Sequence, residues 1–144
     1  MTPTVVFDMH LTIFRPTPEA GGGIAPMPAA IETFLSFYQQ GYKIVIISTS
    51  DTQNSRERLQ LLLSKQGLDE DKIKIILKEI DILSMQFFGS KNTKEAWVEA
   101  MKPYKNIEYI FEDGEAKLHA AGEAAKELGS DPELYTSVKE FVEG

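Results

Sequence analysis

The chain has 144 residues, a length that suits one domain with its own core. Hydrophobic residues at 42% and charged residues at 26% exclude wholesale disorder, and the absence of cysteine excludes a disulfide scaffold, a thiolate metal site and a cysteine nucleophile. The 15 Lys plus Arg against 22 Asp plus Glu give a formal charge of −7, which disfavours a duplex-binding surface but leaves room for a local basic patch at a nucleic-acid end.

The first residues, Met1 to Asp8, lack the basic segment of a secretory leader. No apolar run anywhere approaches the ~20 residues that span a bilayer. With no cysteine to oxidise, the expectation is a soluble cytoplasmic protein without a membrane partner. Val5-Val6-Phe7 forms a short buried strand ending at Asp8. Residues 13–27, with Pro16, Pro18, Pro26 and Gly21-Gly22-Gly23, read as a flap-like loop, and the glycines match neither a P-loop nor GxGxxG. Pro28 fits a first helical position, followed by Ile31, Phe34, Leu35 and Tyr38 at helical spacing and Gly41 as a stop. Ile44 to Ile47 is a second strand running into Ser48-Thr49-Ser50.

Asn54 and Glu57 suit a capping box ahead of Leu59, Leu62 and Leu63, with Gly67 closing that helix. Ile73 to Leu77 reads as a third strand. Thr93 suits an N-cap before the stripe Trp97, Ala100, Met101 and Tyr104, whose aromatic members read as core. Ile107 to Phe111 is a fourth strand ending at Glu112-Asp113, and Leu118 to Leu128 a helix stopped by Gly129. Glu115, Lys117 and His119 read as ordinary helix residues outside any site. Leu134 to Thr136 is a weak fifth strand, and the acidic tail from Asp131 to Glu143 a solvated helix end. Alternation of strands and helices predicts one α/β domain over residues 1–144, a Rossmann-like, doubly wound parallel sheet with helices on both faces.

Ligands of such sheets bind outside the carboxyl ends of the strands. Here those ends carry Asp8, Ser48 and Glu112-Asp113, with Lys91 or Lys94 near the same rim. Carboxylates offer hard oxygens to Mg²⁺, while a hydroxyl and an ammonium hold phosphate oxygens, so the set suits phosphate chemistry.

The order of these pieces resembles the haloacid dehalogenase superfamily from about Thr4 to Gly129. The residues that carry the resemblance are Asp8-Met9-His10-Leu11-Thr12 after a strand, a serine ending the next, a lysine at a helix start and Glu112-Asp113 after the fourth strand. Ile110 to Gly114 and Ala120-Ala121-Gly122 look like the fourth motif of β-phosphoglucomutase-type members, and Met85 to Lys94 is loosely similar to polynucleotide 3′-phosphatases. A response-regulator receiver places its acidic pair first, and the order here argues against it. The resemblance implies a Mg²⁺-dependent phosphomonoesterase in which Asp8 takes the phosphoryl group, backbone N–H groups after it cradle the phosphate, and Ser48 bonds a phosphate oxygen. Lys94 matches the lysine motif better than Lys91, because Trp97, Val98 and Met101 follow it at the apolar spacing. Asp113 is implied as a metal ligand with Asp8 and the His10 backbone carbonyl, and Glu112 as a further ligand or an outer acceptor. A dehalogenase would leave Asp113 without a purpose.

His10 departs from the family, whose phosphatases carry Asp there as acid and base. An imidazole can move protons near neutral pH, but it is larger than a carboxylate. The position therefore admits a working acid/base, a slow enzyme restricted to good leaving groups, or a phosphate-binding relic. Neither residues 13–27 nor 78–92 can hold a large cap domain. Capless members commonly act on large substrates such as phosphoproteins or nucleic-acid ends, or else build a lid by oligomerising. Gln86, where polynucleotide phosphatases tend to have Arg, and the net charge weaken the nucleic-acid version. The expected partner is a phosphorylated substrate of unassigned class.

Overall fold

The structure, a computed structural model, describes residues 2–18 and 23–144. Five parallel strands form one sheet: β1 (Thr4–Phe7), β4 (Lys43–Ser48), β5 (Asp81–Ser84), β6 (Ile107–Phe111) and β7 (Glu133–Tyr135), in the order β5-β4-β1-β6-β7. The connection from β1 runs to one side, toward β4, and that from β6 to the other, toward β7. The crevice between β1 and β6 is therefore the point where the winding reverses.

Side chains alternate across a strand, so β1 sends Val5 and Phe7 to one face and Val6 to the other. On the first face lie α1 (Ala30–Gln39), α2 (Thr52–Lys65), α3 (Glu70–Glu79) and α6 (Val138–Glu143). On the second lie α4 (Lys94–Met101) and α5 (Glu115–Glu127). The first core is aromatic at its centre, where Phe7 stacks on Phe111 with centroids 4.9 Å apart and Phe37 and Phe141 pack around them. This is the doubly wound α/β sheet that the alternation predicts. Among the described residues, no helix is long and apolar enough to cross a membrane.

Several elements differ from the sequence expectation. Ile73 to Leu77 lies in α3, not in a strand: Ile73, Ile76, Leu77 and Ile80 are buried while Ile75 is 53% exposed, which is helical periodicity. Asp69 caps that helix by accepting from Lys72 N–H, and the third strand of the chain's sheet begins only at Asp81. Helix α2 is capped by Asp51 rather than Asn54, whose N–H donates to the Asp51 carboxylate. Helix α1 starts at Ala30, two residues after Pro28. The acidic tail is a strand and a helix, with Tyr135, Val138 and Phe141 on the core, because its apolar residues outweigh the charge between them.

The described part of residues 13–27 is more regular than a loop. Strands β2 (Phe14–Thr17) and β3 (Gly23–Pro26) pair antiparallel as a separate two-stranded ribbon. Two strands are all edge, so Pro16 and Pro26 are tolerated there. The Gly21-Gly22 part of the expected flap lies outside the described residues. Between β5 and α4 there is only one 3₁₀ turn, Met85–Phe87, and the loop that carries Lys91.

Candidate active site

Asp8 follows β1 at the crevice, with its N–H bonded to the Phe111 carbonyl of β6 at 2.9 Å. The next residues wind tightly: the Met9 carbonyl accepts from the N–H groups of Thr12, Ile13 and Phe14, and Leu11 is left-handed at φ 61°. A leucine in that region is strained, and the three bonds to one carbonyl hold it. The same winding leaves Met9 N–H and His10 N–H without an acceptor among the described residues, two adjacent donors beside the Asp8 carboxylate. Successive N–H groups left without acceptors are the donors from which an anion nest is made. Thr12 is buried and its hydroxyl lies 3.3 Å from Asp8 Oδ2, a contact that the sequence reading did not assign.

The lysine beside Asp8 is Lys91, not Lys94. Its Nζ lies 2.7 Å from Asp8 Oδ1 and 2.7 Å from Glu112 Oε1, with all three side chains buried. Ser90 and Thr93 close a turn around Lys91, and the fully buried Trp97 donates its indole N–H to the Lys91 carbonyl at 2.7 Å. The Trp97 ring also lies under the ammonium, with Nζ 5.3 Å from its centroid. Thr93 caps α4 as expected, which puts Lys94 in the first helical turn; its Nζ pairs with Glu127 on α5 at 2.8 Å. The stripe after Lys94 is real, but it fixes the helix face and not the lysine that reaches the crevice. Trp97 is core and, in addition, the anchor of Lys91.

Glu112 and Asp113 follow β6. Glu112 N–H donates to the Tyr135 carbonyl, Oε1 accepts from Lys91, and Oε2 accepts from Gly114 N–H. Both carboxylate oxygens are thus held by the protein. Asp8, Glu112 and Asp113 each present an oxygen within 4.8 Å of the others. Burial pushes the Asp8 carboxyl up to about 7; Lys91 opposes this, while Glu112 and Asp113 add to it. Three carboxyls, two of them sharing the one ammonium, are an anionic centre that a hard divalent cation would relieve, and the all-oxygen donor set fits Mg²⁺.

Ser48, buried at the end of β4, accepts from Ser50 N–H at 3.0 Å. His10 is exposed, its ring edge-on to Phe14 at 5.6 Å, and it is not among the groups that converge within 4.8 Å of one another at Asp8, Glu112 and Asp113. Asp8, Lys91, Glu112 and Asp113 are therefore brought together, Ser48 and His10 border the strand ends, and Lys94 is elsewhere.

No protein-family model and no curated protein matches the sequence. Solved structures do resemble it. A HAD-superfamily hydrolase from Ehrlichia chaffeensis superposes with a TM-score of 0.60 over 99% of this chain and 95% of that one, at 14% identity. The UTR4 (unknown transcript 4) protein from Saccharomyces cerevisiae superposes with a TM-score of 0.53 at 13% identity, over 81% of this chain and half of that protein's length.

Proposed function

From a chain with the fold of the haloacid dehalogenase superfamily, we infer a Mg²⁺-dependent phosphomonoesterase that works through an aspartyl phosphate on Asp8. The observation that carries the reading is Asp8 at the winding reversal, with Lys91 on one carboxylate oxygen and two unused backbone N–H groups beside it.

The Met9 and His10 N–H groups, the Ser48 hydroxyl and Lys91 bind the phosphate oxygens and offset the charge that spreads over them during transfer. Asp8 attacks phosphorus, the ester P–O bond breaks, and the leaving alkoxide takes a proton that His10 supplies. Water then attacks phosphorus, giving its proton to His10 and restoring the Asp8 carboxylate and inorganic phosphate. Asp8 and Asp113 have the oxygens to hold Mg²⁺, with the His10 carbonyl, while Glu112 orients Lys91. Bound Mg²⁺ would withdraw charge from the phosphoryl oxygens.

Turnover of p-nitrophenyl phosphate with Mg²⁺, lost in EDTA and restored by added Mg²⁺, is the expected result. Activity that persists in EDTA would overturn the metal-dependent mechanism. We place the reaction in the cytoplasm, in keeping with the lack of cysteine.

His10 favours a second reading, a phosphate-binding protein without turnover, because the ring is exposed where the family's phosphatases carry Asp. The two readings separate by leaving group. A working acid is worth about 10²–10⁴-fold, and more for an alkoxide than for a stable aryl oxide. His10→Ala should therefore depress kcat on alkyl phosphates far more than on p-nitrophenyl phosphate, and His10→Asp should restore it. Equal losses on both would make the ring a positioning group. Phosphate binding without turnover of any ester would favour the binding protein.

A further inference from the structure

Beside the carboxylate cluster lies an open cavity of about 340 Å³, lined by Thr49, Gln86, Ser90, Lys91, Asn92 and Lys117, with no acidic side chain in its wall. Its size is at the lower end of small-molecule sites. Gln86 is held across it by donating to the Thr49 carbonyl at 3.3 Å.

Lys117 is out of place for a surface lysine. It stands in the first turn of α5, where the helix dipole disfavours a cation, and it has neither an ion pair nor a hydrogen bond among the described residues. Helical side chains lean toward the N-terminus, which directs Lys117 back toward the end of β6. Gly114 gives it room: a Cβ there would lie 3.1 Å from Lys117 Cδ, so the stem lies over the glycine. The side chain is half-buried on the cavity wall rather than extended into water. An unpaired cation held in this way, beside the amides of Gln86 and Asn92, is complementary to an anion, whereas the Lys91 ammonium is already shared by Asp8 and Glu112.

We propose that Lys117, with Asn92 and Gln86, forms a subsite for a second anionic group on the substrate. The substrate class is then a small phosphomonoester that also carries a carboxylate or a second phosphate. This rests on the phosphatase reading for the position of the first phosphate.

Matched pairs test it. 3-Phosphoglycerate is compared with glycerol 3-phosphate, and 1,3-propanediol bisphosphate with 3-hydroxypropyl phosphate, so that the two arms distinguish carboxylate from phosphate. The kcat/KM ratio within a pair should favour the second anion by roughly 10–100-fold, the value of one charge-assisted bond. Lys117→Gln should abolish that ratio and Lys117→Arg should retain part of it. No preference in the parent protein, or equal losses within both pairs in Lys117→Gln, would overturn the subsite. So would a 3′-phosphorylated oligonucleotide that outcompetes all four esters irrespective of Lys117. Calorimetric binding of the same pairs to Asp8→Asn separates the two claims. A Lys117-dependent binding preference without turnover in the parent would sink the phosphatase and keep the subsite, whereas turnover without preference would do the reverse.

Discussion

Asp8→Asn should reduce turnover of every phosphomonoester by at least about 10⁴-fold, since an amide cannot attack phosphorus and the route has no other nucleophile. The protein should remain folded, and its stability supplies an independent readout. In Mg²⁺-free solution the Asp8 carboxyl is raised to about 7 from its ordinary 3.8, chiefly by burial, so the folded chain retains a proton that the unfolded chain gives up between those values. Stability from this group is complete below about pH 3.8 and is lost as pH rises through about 7. Asparagine removes that slope. The melting temperature of Asp8→Asn relative to the parent should therefore rise between pH 4 and pH 8. Turnover within tenfold of the parent would place the nucleophile elsewhere, and a lost melting transition would show a structural role instead.

Lys91→Met should cost about 3–5 kcal/mol in Mg²⁺-free urea titrations at pH 8, because it leaves Asp8 and Glu112 buried without their shared cation. The deficit should shrink toward pH 5. Lys91 holds the Asp8 carboxyl down, so without it protonation comes at higher pH and relieves the repulsion. Lys94→Ala makes the contrast. Its ammonium is on the surface with Glu127, where water screens the pair, and its loss should leave the urea midpoint unchanged. Equal deficits in the two variants would remove Lys91 from the centre described above.

The lysine shows where sequence reasoning stops. Trp97 and Met101 mark the buried face of α4 correctly, and Thr93 marks its start. Neither says which neighbouring lysine reaches a carboxylate 83 residues away. That is decided by the Ser90–Thr93 turn and by the Trp97 indole, which takes the Lys91 carbonyl and leaves its side chain facing the crevice. The misread strand at Ile73 to Leu77 has a related cause. Isoleucines favour strands, yet Asp69 as a cap and burial at 73, 76, 77 and 80 select a helix. Local propensity gives way to the amphipathic face.

By itself, the sequence determined the α/β class, the parallel sheet and the strand ends at Asp8, Ser48 and Glu112-Asp113. Those are local matters: apolar runs bury on both faces, and polar residues end them. Tertiary structure decided what meets at those ends. Asp8 and Glu112 are 104 positions apart in the chain and share one ammonium only because β1 and β6 are neighbours in the sheet. It also decided that Glu112 is fully held while Asp113 is not, and that Lys117 curls over Gly114 beside a cavity without acids. Distances between side chains from different strands depend on the order of those strands and the register between them, and no local pattern in the chain encodes either.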